Sequence, residues 1–339
     1  MRKLATVRKI SEIRPIANAD AIECAVVDGW NVVVKRGEFI AGDLAVYFEV
    51  DSWIPTAIAP FLSKGQAPRE YNGVQGERLR TVKLRGQISQ GLLLHLGAID
   101  IGWLNEYKEP GYDLTDIIGI QKYEPPVPAQ LAGVVRGAWP SAVPKTDEER
   151  IQNLVGDWDH LKTLTYEITE KLEGSSMSVG SIDRDFMVCS RNLNLARSET
   201  NTLWALAIRH DIENKMQTLG LDHLVFQGEV IGEGVQGNHY GIKGQEFYVF
   251  AVYDVARGRY LAPAERREIT ARMGLQHVPV LTESTALDTM TVESVLALAD
   301  GNSKINTAKL REGLVFKALD DVNQTHWKAV SNQYLLKHG

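Results

Sequence analysis

The sequence contains very little cysteine. Cys24 and Cys189 are its two cysteines, and they lie far apart without a CxxC pair. This excludes a disulfide framework and a zinc site built on cysteines, and it is typical of a reducing compartment. Long apolar runs are also missing, since no stretch approaches the ~20 residues of a membrane span. The N-terminal MRKLATVRKI lacks the apolar region of a signal peptide. These absences predict a cytoplasmic protein without membrane contact.

An excess of basic charge is missing as well. The formal net charge is -6, and residues 1–155 contain 18 Lys or Arg against 19 Asp or Glu. Nearly all of the negative excess therefore lies in the remainder of the chain. A strongly basic nucleic-acid-binding protein would look different. Any contact with nucleic acid is predicted to be a local patch, most plausibly in the N-terminal half.

The first 120 residues show no helical period longer than two turns. Short segments rich in Val, Leu and aromatic residues occur instead, separated by Gly, Asp and Pro: ATVRKISEI, AIECAVVDGWNVVVKR, GDLAVYFEV, RLRTVKLRG and GLLLHLG. Strands at this spacing predict a small closed barrel. Five prolines follow within residues 122–145, which is typical of a connector. We therefore predict a barrel domain at 1–125, a linker at 126–144 and a second domain at 145–339.

The second half mixes helical and strand patterns. Helices are predicted over residues 199–220, over 263–274 with Pro263 in the first turn, and from Thr291 to Gly301. Strand-like runs lie between them, including HLVFQGEVIG, EFYVFAVYDV, EGLVFKAL and HWKAV. This irregular alternation predicts an α+β domain of antiparallel sheets and helices.

The segment TEKLEGSSMS (169–178) places Lys171 just before a turn. By itself this pattern has two interpretations, a solvated turn lysine or a nucleophile. Other residues have similarly plain alternatives when taken singly. Glu229 could be an edge-strand charge, Phe250 a core residue, and Glu312 with Lys317 a solvated hairpin pair.

Six segments that occur in a specific order favour the interpretation of Lys171 as a nucleophile. They resemble the motifs of covalent nucleotidyltransferases, the superfamily of ATP-dependent ligases and capping enzymes: KLEG (171–174), SRNLN (190–194), FQGEVIG (226–232), FYVF (247–250), EGLVFK (312–317) and WKAVS (327–331). Each motif alone is weak, but their shared order is specific. The resemblance covers residues 145–339 and implies an adenylyltransferase domain of the ATP-grasp-like ligase type.

The resemblance also implies roles for individual residues. Lys171 would attack the α-phosphate of ATP and form lysyl-AMP, with Lys328, Glu229 and Glu312 as further catalytic residues. Binding of the nucleotide would involve Glu170, Arg191, Glu229, Phe250 and Lys328, and Arg150 is a candidate for the β- and γ-phosphates, with an ordinary helix-start charge as the alternative. Mg²⁺ or Mn²⁺ would be held by Glu173, Glu229 and Glu312, which offer hard oxygen ligands.

The attacking lysine must be a neutral amine, although a free lysine titrates near ~10.4. We expect nearby cations, namely Lys328, Arg191 and the metal, to lower the pKa of Lys171. Two positions depart from the family pattern. Ala251 stands where aspartate is common, and Val330 replaces the second lysine of the fifth motif.

Within the superfamily, the closest resemblance is to RNA ligases. TEKLEGSSMS and FQGEVIGEGVQGNHYGIKGQEFYVF are similar to segments of the phage-type double-strand RNA ligases. The N-terminal barrel segments, together with KLRGQISQGLLL, resemble an OB fold of the tRNA-binding type. An N-terminal OB domain joined to such a ligase domain, with KTDEERIQN (145–153) before it, resembles the Deinococcus-type RNA ligases. Only 11 residues follow Lys328, so we expect no C-terminal OB domain of the kind found in DNA ligases and capping enzymes.

The OB domain is expected to bind the nucleic acid through basic side chains. Candidates are Lys35, Arg36, Arg78, Arg80, Lys83 and Arg85, with solvated strand charges as the alternative. If ERLRTVKLRG is a regular strand, Arg78 and Arg80 share one face while Lys83 and Arg85 share the other.

The sequence therefore predicts a monomeric, ATP-dependent RNA ligase. Its substrates would be nicked duplex RNA or RNA/DNA hybrid, with a 5′-phosphate and an RNA 3′-OH end. Two alternatives remain open at this point. One is a GTP-using capping-type transferase, and the other is a non-catalytic RNA-binding OB protein.

Overall fold

A computed structural model describes residues 2–99, 109–319 and 325–339. The chain forms two compact units. The first comprises Met1–Pro125, Ile151–Trp158 and Leu335–Gly339, and the second comprises Pro126–Arg150 and Asp159–Tyr334. Residues 126–144, for which we predicted a linker, contribute a short helix and a strand to the second unit. The predicted domain boundaries themselves stay a prediction.

The first unit is built from short antiparallel strands. They are β1 (Ala5–Lys9), β2 (Glu12–Pro15), β3 (Ile22–Val27), β4 (Trp30–Lys35), β5 (Leu44–Phe48), β6 (Ser52–Pro55), β7 (Arg69–Tyr71), β8 (Val74–Arg78), β9 (Val82–Leu84), β10 (Gln87–Ser89), β11 (Leu92–His95) and β12 (Gln121–Lys122). Their sheets run in the orders β1-β5-β11, β2-β3-β4 and β12-β6-β8-β7, with a β9–β10 hairpin. Short 3₁₀ turns occupy Pro60–Ser63, Leu96–Ala98 and Ile151–Asp157.

Strand β5 explains why the barrel sequence is so apolar. Val46 and Phe48 belong to one buried cluster with Leu114, whereas Ala45 and Tyr47 belong to a second buried cluster with Trp30. Successive side chains of a strand point to opposite faces. Strand β5 is therefore buried on both faces, which accounts for its uninterrupted apolar run.

The second unit mixes helices and strands. Its elements are α1 (Ala129–Ala132), β13 (Val135–Ala138), β14 (Glu149–Arg150), α2 (Trp158–Leu161), β15 (Thr165–Lys171), β16 (Ser175–Ile182), β17 (Asp185–Cys189), β18 (Leu193–Leu195), α3 (Thr202–Arg209), α4 (Ile212–Leu219), β19 (Leu224–Gly232), β20 (Gln245–Asp254), β21 (Arg259–Tyr260), α5 (Pro263–Arg272), β22 (Gln276–His277), β23 (Val280–Ala286), α6 (Val292–Ala299), β24 (Gly313–Ala318), β25 (His326–Val330) and α7 (Asn332–His338). A 3₁₀ turn lies at Gln236–Asn238.

Two sheets organise this unit. One has the order β13-β18-β17-β16-β19-β20-β21, with β22 also paired to β20, and the other has the order β14-β25-β24-β15-β23. The pairs β14–β25 and β20–β22 are parallel, and the remaining described pairs are antiparallel. The main core packs Met177, Phe226 and Val249 from the first sheet against Trp204 and Met216 from the helices. The predicted α+β class is confirmed.

The helices largely follow the predicted signals, with one error. Gly220 ends α4 in a left-handed conformation, and Thr291 caps α6. The single helix predicted over 199–220 is wrong, because Asp211 adopts a left-handed φ of 52° and separates α3 from α4. This break removes Ile208 from the apolar stripe, and its side chain is 40% exposed. Among the described residues, no helix has the length and apolar character needed to cross a membrane.

Candidate active site

Lys171 is the last residue of β15 and lies within a cluster of carboxylates. Its amine donates a hydrogen bond of 2.7 Å to Oε2 of Glu312, and the two side chains are 24% and 15% exposed. Strand pairing produces this contact, because Lys171 lies opposite Gly313, which follows Glu312 directly. Lys171 is therefore not a solvated turn lysine, and Glu312 is not a solvated hairpin charge.

Glu229 and Glu173 complete the carboxylate cluster. Glu229 lies in β19, which has β16 on one side and β20 on the other, so it is not an edge charge. Burial alone would lower the pKa of Lys171, but the negative charges of Glu312, Glu229 and Glu173 together raise it above its ordinary value. Among the protein's own charged groups the carboxylates dominate at the amine, and our expectation of a lowered pKa, which included a bound metal, stays a prediction.

A glycine allows the turn after Lys171 to approach Glu229. A Cβ atom added at Gly174 would lie 2.3 Å from the carbonyl oxygen of Val230 and 2.9 Å from Cγ of Glu229. Real Cβ atoms essentially never come that close to other heavy atoms. The glycine of KLEG therefore permits the close packing that brings Glu173 and Glu229 to the same amine.

The cluster has an excess of negative charge. Burial and the neighbouring Glu312 and Glu173 raise the pKa of Glu229 to about 8, although Lys171 and Arg191 act in the opposite direction. A further cation would relieve this repulsion, and carboxylate oxygens are the ligands that Mg²⁺ and other hard cations prefer. Among the described residues, no three His, Cys, Asp or Glu side chains are arranged to hold a metal directly. The three carboxylates have the donor chemistry of a divalent-ion site, and their assignment as metal ligands stays a prediction.

Basic residues share the sheet face on which Lys171 lies. Val315 pairs with both Thr169 and Lys328, and Lys328 also pairs with Arg150. Because directly paired residues project from the same face, Arg150 and Lys328 lie on the face that carries Lys171. Arg150 is buried at 5% exposure. This arrangement can balance the charge of a bound polyphosphate.

Arg191 lies outside this sheet, between β17 and β18. Its guanidinium is 43% exposed and forms a 2.8 Å ion pair with Asp147. Its charge also acts on Glu229. Arg191 is thus near the carboxylate cluster, as the second motif implies.

Phe250 is the extra residue of a β-bulge. Gln227 pairs with Ala251 while Gly228 pairs with Val249, which leaves Phe250 outside the regular ladder. Its carbonyl accepts a 2.6 Å hydrogen bond from the amine of Lys317, and this amine lies 5.7 Å from the phenyl ring. Phe250 is half-buried, so part of the ring is available for contact with a ligand.

Lys317 lies beside a cavity and is not a solvated hairpin residue. Burial and the charge of Arg266 lower its pKa to about 7. A cavity of about 250 Å³ lies next to this lysine and is bounded by Ala251, Tyr260 and His326 among others.

The carboxylate of Glu170 points away from the Lys171 face. It is 1% exposed and accepts a 2.7 Å hydrogen bond from the backbone N–H of Lys304. Its backbone N–H donates to the carbonyl of Pro279 at 2.9 Å. The side chain therefore anchors the loop before β24, and the predicted role of Glu170 in nucleotide binding stays a prediction.

The six basic candidates of the OB unit differ in their surroundings. Lys35, Arg36, Arg80, Lys83 and Arg85 are exposed. Arg78 is half-buried, forms a 2.6 Å ion pair with Asp51 and lies 5.0 Å from the ring of Tyr123. Arg80 donates a 3.1 Å hydrogen bond to the carbonyl of Gly339.

The regular strand assumed for ERLRTVKLRG is wrong. Strand β8 ends at Arg78 and pairs with β6 and β7, whereas β9 begins at Val82 and pairs with β10. Between Arg78 and Val82 the chain therefore passes from one sheet to a separate hairpin. Arg85 lies in the hairpin turn with φ 50°, so the simple division of these residues between two strand faces fails.

Two tyrosines next to the cluster were missed by the sequence analysis. The hydroxyl of Tyr240 accepts a 2.7 Å hydrogen bond from the backbone N–H of Glu173, and Tyr334 forms a hydrogen bond with the Glu173 side chain. Tyr240 lies in the loop between β19 and β20, and Tyr334 lies in α7. Neither belongs to the six motifs, and a single tyrosine in a loop carries no recognisable signal.

Comparison with known proteins agrees with this architecture. A family model described as an OB-fold domain matches residues 4–96, and one described as RNA ligase matches residues 164–332. A search of curated protein sequences found no match.

Solved structures of a Naegleria gruberi RNA ligase resemble the chain over its whole length at 44% identity. A mutant with AMP and Mn has a TM-score of 0.92 and covers 99% of each chain. A mutant with ATP and Mn has a TM-score of 0.91 with the same coverage. The ligase with PPi has a TM-score of 0.92 and covers 100% of this chain and 99% of that chain. The chain belongs to the RNA ligase family, whose enzymes form phosphodiester bonds.

Proposed function

We propose that the protein is an ATP-dependent RNA ligase that is adenylated on Lys171 and seals nicks with an RNA 3′-OH end. The observation that carries this proposal is the half-buried amine of Lys171, 2.7 Å from Glu312 and within the field of Glu229 and Glu173. The similar Naegleria ligase was solved with ATP, with AMP and with Mn, which supports ATP and a divalent metal as its requirements.

In the first step, the Lys171 nitrogen attacks the α-phosphorus of ATP. An N–P bond forms, the bond from that phosphorus to the bridging oxygen breaks, and pyrophosphate leaves. The amine must first lose a proton, and Glu312 is the acceptor in place, since it already receives the Lys171 hydrogen bond. The raised pKa of Lys171 implies that this transfer becomes favourable only when added positive charge offsets the carboxylates.

The other side chains bind and orient the nucleotide. Lys328 contacts the α-phosphate, Arg150 the outer phosphates, and Arg191 contributes positive charge near Glu229. Phe250 stacks on the adenine, while backbone atoms at Glu170 contact its edge. A divalent ion held by Glu173, Glu229 and Glu312, directly or through water, would stabilise the charge on the phosphoryl oxygens.

The later steps return the lysine to its starting state. An oxygen of the 5′-phosphate attacks the phosphorus of lysyl-AMP, and the Lys171 amine leaves with a proton. The RNA 3′-OH then attacks the activated 5′-phosphate, and AMP leaves. The 2′-OH is the local feature that distinguishes an RNA end from a DNA end.

The OB unit would bind the duplex backbone. Its exposed basic side chains, Lys35, Arg36, Arg80, Lys83 and Arg85, suit contacts with phosphates. Arg78 contributes less, because Asp51 already neutralises it. We propose that the enzyme works as a monomer on nicked duplex RNA or RNA/DNA hybrid in the cytoplasm, where its two free cysteines remain reduced.

The test measures covalent labelling. Wild type and Lys171→Ala are incubated with α-labelled ATP or GTP and with Mg²⁺ or Mn²⁺, and bound label is measured after denaturation. We expect label from ATP in wild type alone. Label from GTP would indicate a capping-type transferase, and no label from a folded wild type would indicate an RNA-binding protein.

The substrate is tested with two nicked duplexes that differ only in the sugar of the 3′-terminal nucleotide. We expect faster sealing with ribose than with 2′-deoxyribose. Equal sealing rates would refute the proposed requirement for an RNA end.

A further inference from the structure

Two buried tyrosines hold the turn that follows Lys171. Tyr240 is 1% exposed and accepts the hydrogen bond of the Glu173 backbone N–H at 2.7 Å. Tyr334 is 7% exposed and forms a hydrogen bond with the Glu173 carboxylate. A phenol is protonated at neutral pH, so the Tyr334 hydroxyl donates this hydrogen bond to the carboxylate. One tyrosine thus fixes the backbone of Glu173, and the other fixes its side chain.

The two tyrosines are braced by a third ring. The His239 ring lies edge-on to both, with centroid distances of 4.9 Å to Tyr240 and 5.4 Å to Tyr334. Its Nε2 donates a 2.7 Å hydrogen bond to the carbonyl of Leu310. Because Leu310 lies two residues before Glu312, this aromatic group supports the segment that leads to a second carboxylate of the cluster.

The loop that carries Tyr240 is also fixed from its other side. The amide nitrogen of Asn306 donates a 2.7 Å hydrogen bond to the carbonyl of Tyr240. Asn238 closes the loop through bonds of 2.9 and 3.1 Å with the backbone of Ile242. The Tyr240 ring itself packs with Leu172 and Ile231. The hydroxyl therefore has a defined position relative to the KLEG turn.

Glu173 needs such support because its neighbours repel it. Glu312 acts on the same amine as Glu173, and Glu229 adds a further negative charge there whenever it is ionised. A carboxylate on a turn could rotate toward solvent to reduce this repulsion. A hydroxyl that donates to an ionised carboxylate opposes that rotation, since hydrogen bonds to charged groups are stronger than those between neutral groups.

We propose that Tyr240 and Tyr334 are positioning residues that hold Glu173 at the reacting centre throughout the ligation cycle. The inference rests on the proposed function, because it assumes that Glu173 acts at Lys171. The bond from Tyr334 does not depend on the charge of Lys171. It therefore continues to hold Glu173 after the amine has become a phosphoramidate, when the attraction between the ammonium and the carboxylate is lost.

The experiment removes single hydroxyl groups. The variants are Tyr334→Phe, Tyr240→Phe and a control, Tyr166→Phe. The Tyr166 hydroxyl is also buried and donates a 2.9 Å hydrogen bond to the carbonyl of Leu161, away from the carboxylates. Single-turnover formation of lysyl-AMP and AMP transfer to a nicked duplex are measured over a range of Mg²⁺ concentrations, and thermal melts compare stability.

We expect Tyr334→Phe to slow both steps by about tenfold to a hundredfold, the effect of losing a hydrogen bond to a charged group. The Mg²⁺ midpoint should rise several-fold, while KM for ATP changes less than twofold. Calorimetric titration of Mn²⁺ without ATP should show a matching loss of affinity. Tyr240→Phe should slow adenylation in the same direction, and Tyr166→Phe should lower only the melting temperature.

A double-variant cycle tests whether the hydroxyl acts through Glu173. Adding Tyr334→Phe to Glu173→Gln should cause little further loss of rate. If the two losses multiply, or if Tyr334→Phe behaves like Tyr166→Phe, the inference is wrong. Failure of wild type to form lysyl-AMP would instead remove the proposed function. If Tyr240→Phe does not fold, the Tyr334 and Glu173 variants still decide the result.

Discussion

Strand β15 carries two charged side chains on one face, four residues apart, in opposite surroundings. At its end, the ammonium of Lys171 meets the negative charges of Glu312, Glu229 and Glu173. Near its middle, the fully buried carboxylate of Glu167 forms ion pairs with Arg266 and Arg267. Lys317 lies opposite Glu167 on the neighbouring strand. Negative charge is thus in excess at one location and positive charge at the other.

The pKa values follow this difference. At the Lys171 end, burial and neighbouring carboxylates raise the pKa of Glu229 to about 8. At the Glu167 end, burial and Arg266 lower the pKa of His277 to about 3, and its Nε2 accepts a 3.0 Å hydrogen bond from Nε of Arg266. One fold therefore contains a carboxylate cluster that favours an added cation and, at the other end of the strand, a single carboxylate whose ion pairs are already formed.

The charged groups at the two ends of β15 have different roles, one in function and the other in stability. A buried charge with complete partners holds the fold, and its loss leaves the partners uncompensated. Several carboxylates that share one amine, with a raised pKa at Glu229, are typical of a functional site. Substitutions at the two ends of β15 should therefore have different consequences.

The largest effect on stability is expected from Glu167→Ala. The substitution leaves Arg266 buried without its carboxylate, and such a loss typically costs about 3–5 kcal/mol. Urea unfolding of wild type and variant measures the change in the free energy of unfolding. The control is Glu283→Gln, which removes a 75% exposed partner of Arg267 at 3.0 Å and should cost under about 1 kcal/mol. Equal losses in the two variants would contradict the assignment of a structural role to Glu167.

A smaller effect on stability is expected from Glu229→Gln, and it should appear in the pH dependence of the free energy of unfolding. The pKa of Glu229 rises from 4.5 to about 8 on folding, so between these values the folded state binds more protons than the unfolded state. Stability contributed by this group therefore falls as pH rises from about 5 to 8. Glu229→Gln should remove roughly 1–3 kcal/mol of this decline. Urea unfolding of wild type and variant across this pH range measures the decline. If stability falls equally in both proteins, Glu229 does not cause the decline.

Lys317 lies in the positively charged group around Glu167 and also contacts Phe250, the residue proposed to stack on the adenine. Its amine donates a hydrogen bond to the carbonyl of Phe250, the bulge residue that lies outside the regular strand pairing. Lys317→Met should raise KM for ATP about tenfold, because one hydrogen bond that places the ring is lost. Lys317→Arg keeps a donor and should recover part of the loss. A fall in kcat without a change in KM would show that Lys317 acts on the chemical step instead.

The sequence predicted much of the candidate site and little of the ion-paired group around Glu167. Lys171, Glu229 and Glu312 stand in ordered motifs, and strand pairing then brings them together. The partners of Glu167 lie 99 and 100 residues away in α5, and no local pattern indicates that pairing. The effect of the protein's own charges on the pKa of Lys171, which is to raise it, was not foreseen for a related reason. It depends on distances between side chains from different strands, which residue types alone do not provide.

The smallest effect on stability is expected at the exposed pair of Arg191 and Asp147. Their side chains are 43% and 58% exposed, and the ion pair is 2.8 Å long. Asp147→Asn should therefore change the free energy of unfolding by under about 1 kcal/mol. The same substitution removes the negative charge of Asp147 next to Arg191 and keeps the charge that acts on Glu229, so it should not impair adenylation, whereas Arg191→Ala should slow it. Urea unfolding and single-turnover labelling test both points. If Asp147→Asn and Arg191→Ala slow adenylation equally, the pair acts as one unit, and the charge of Arg191 alone does not explain its role.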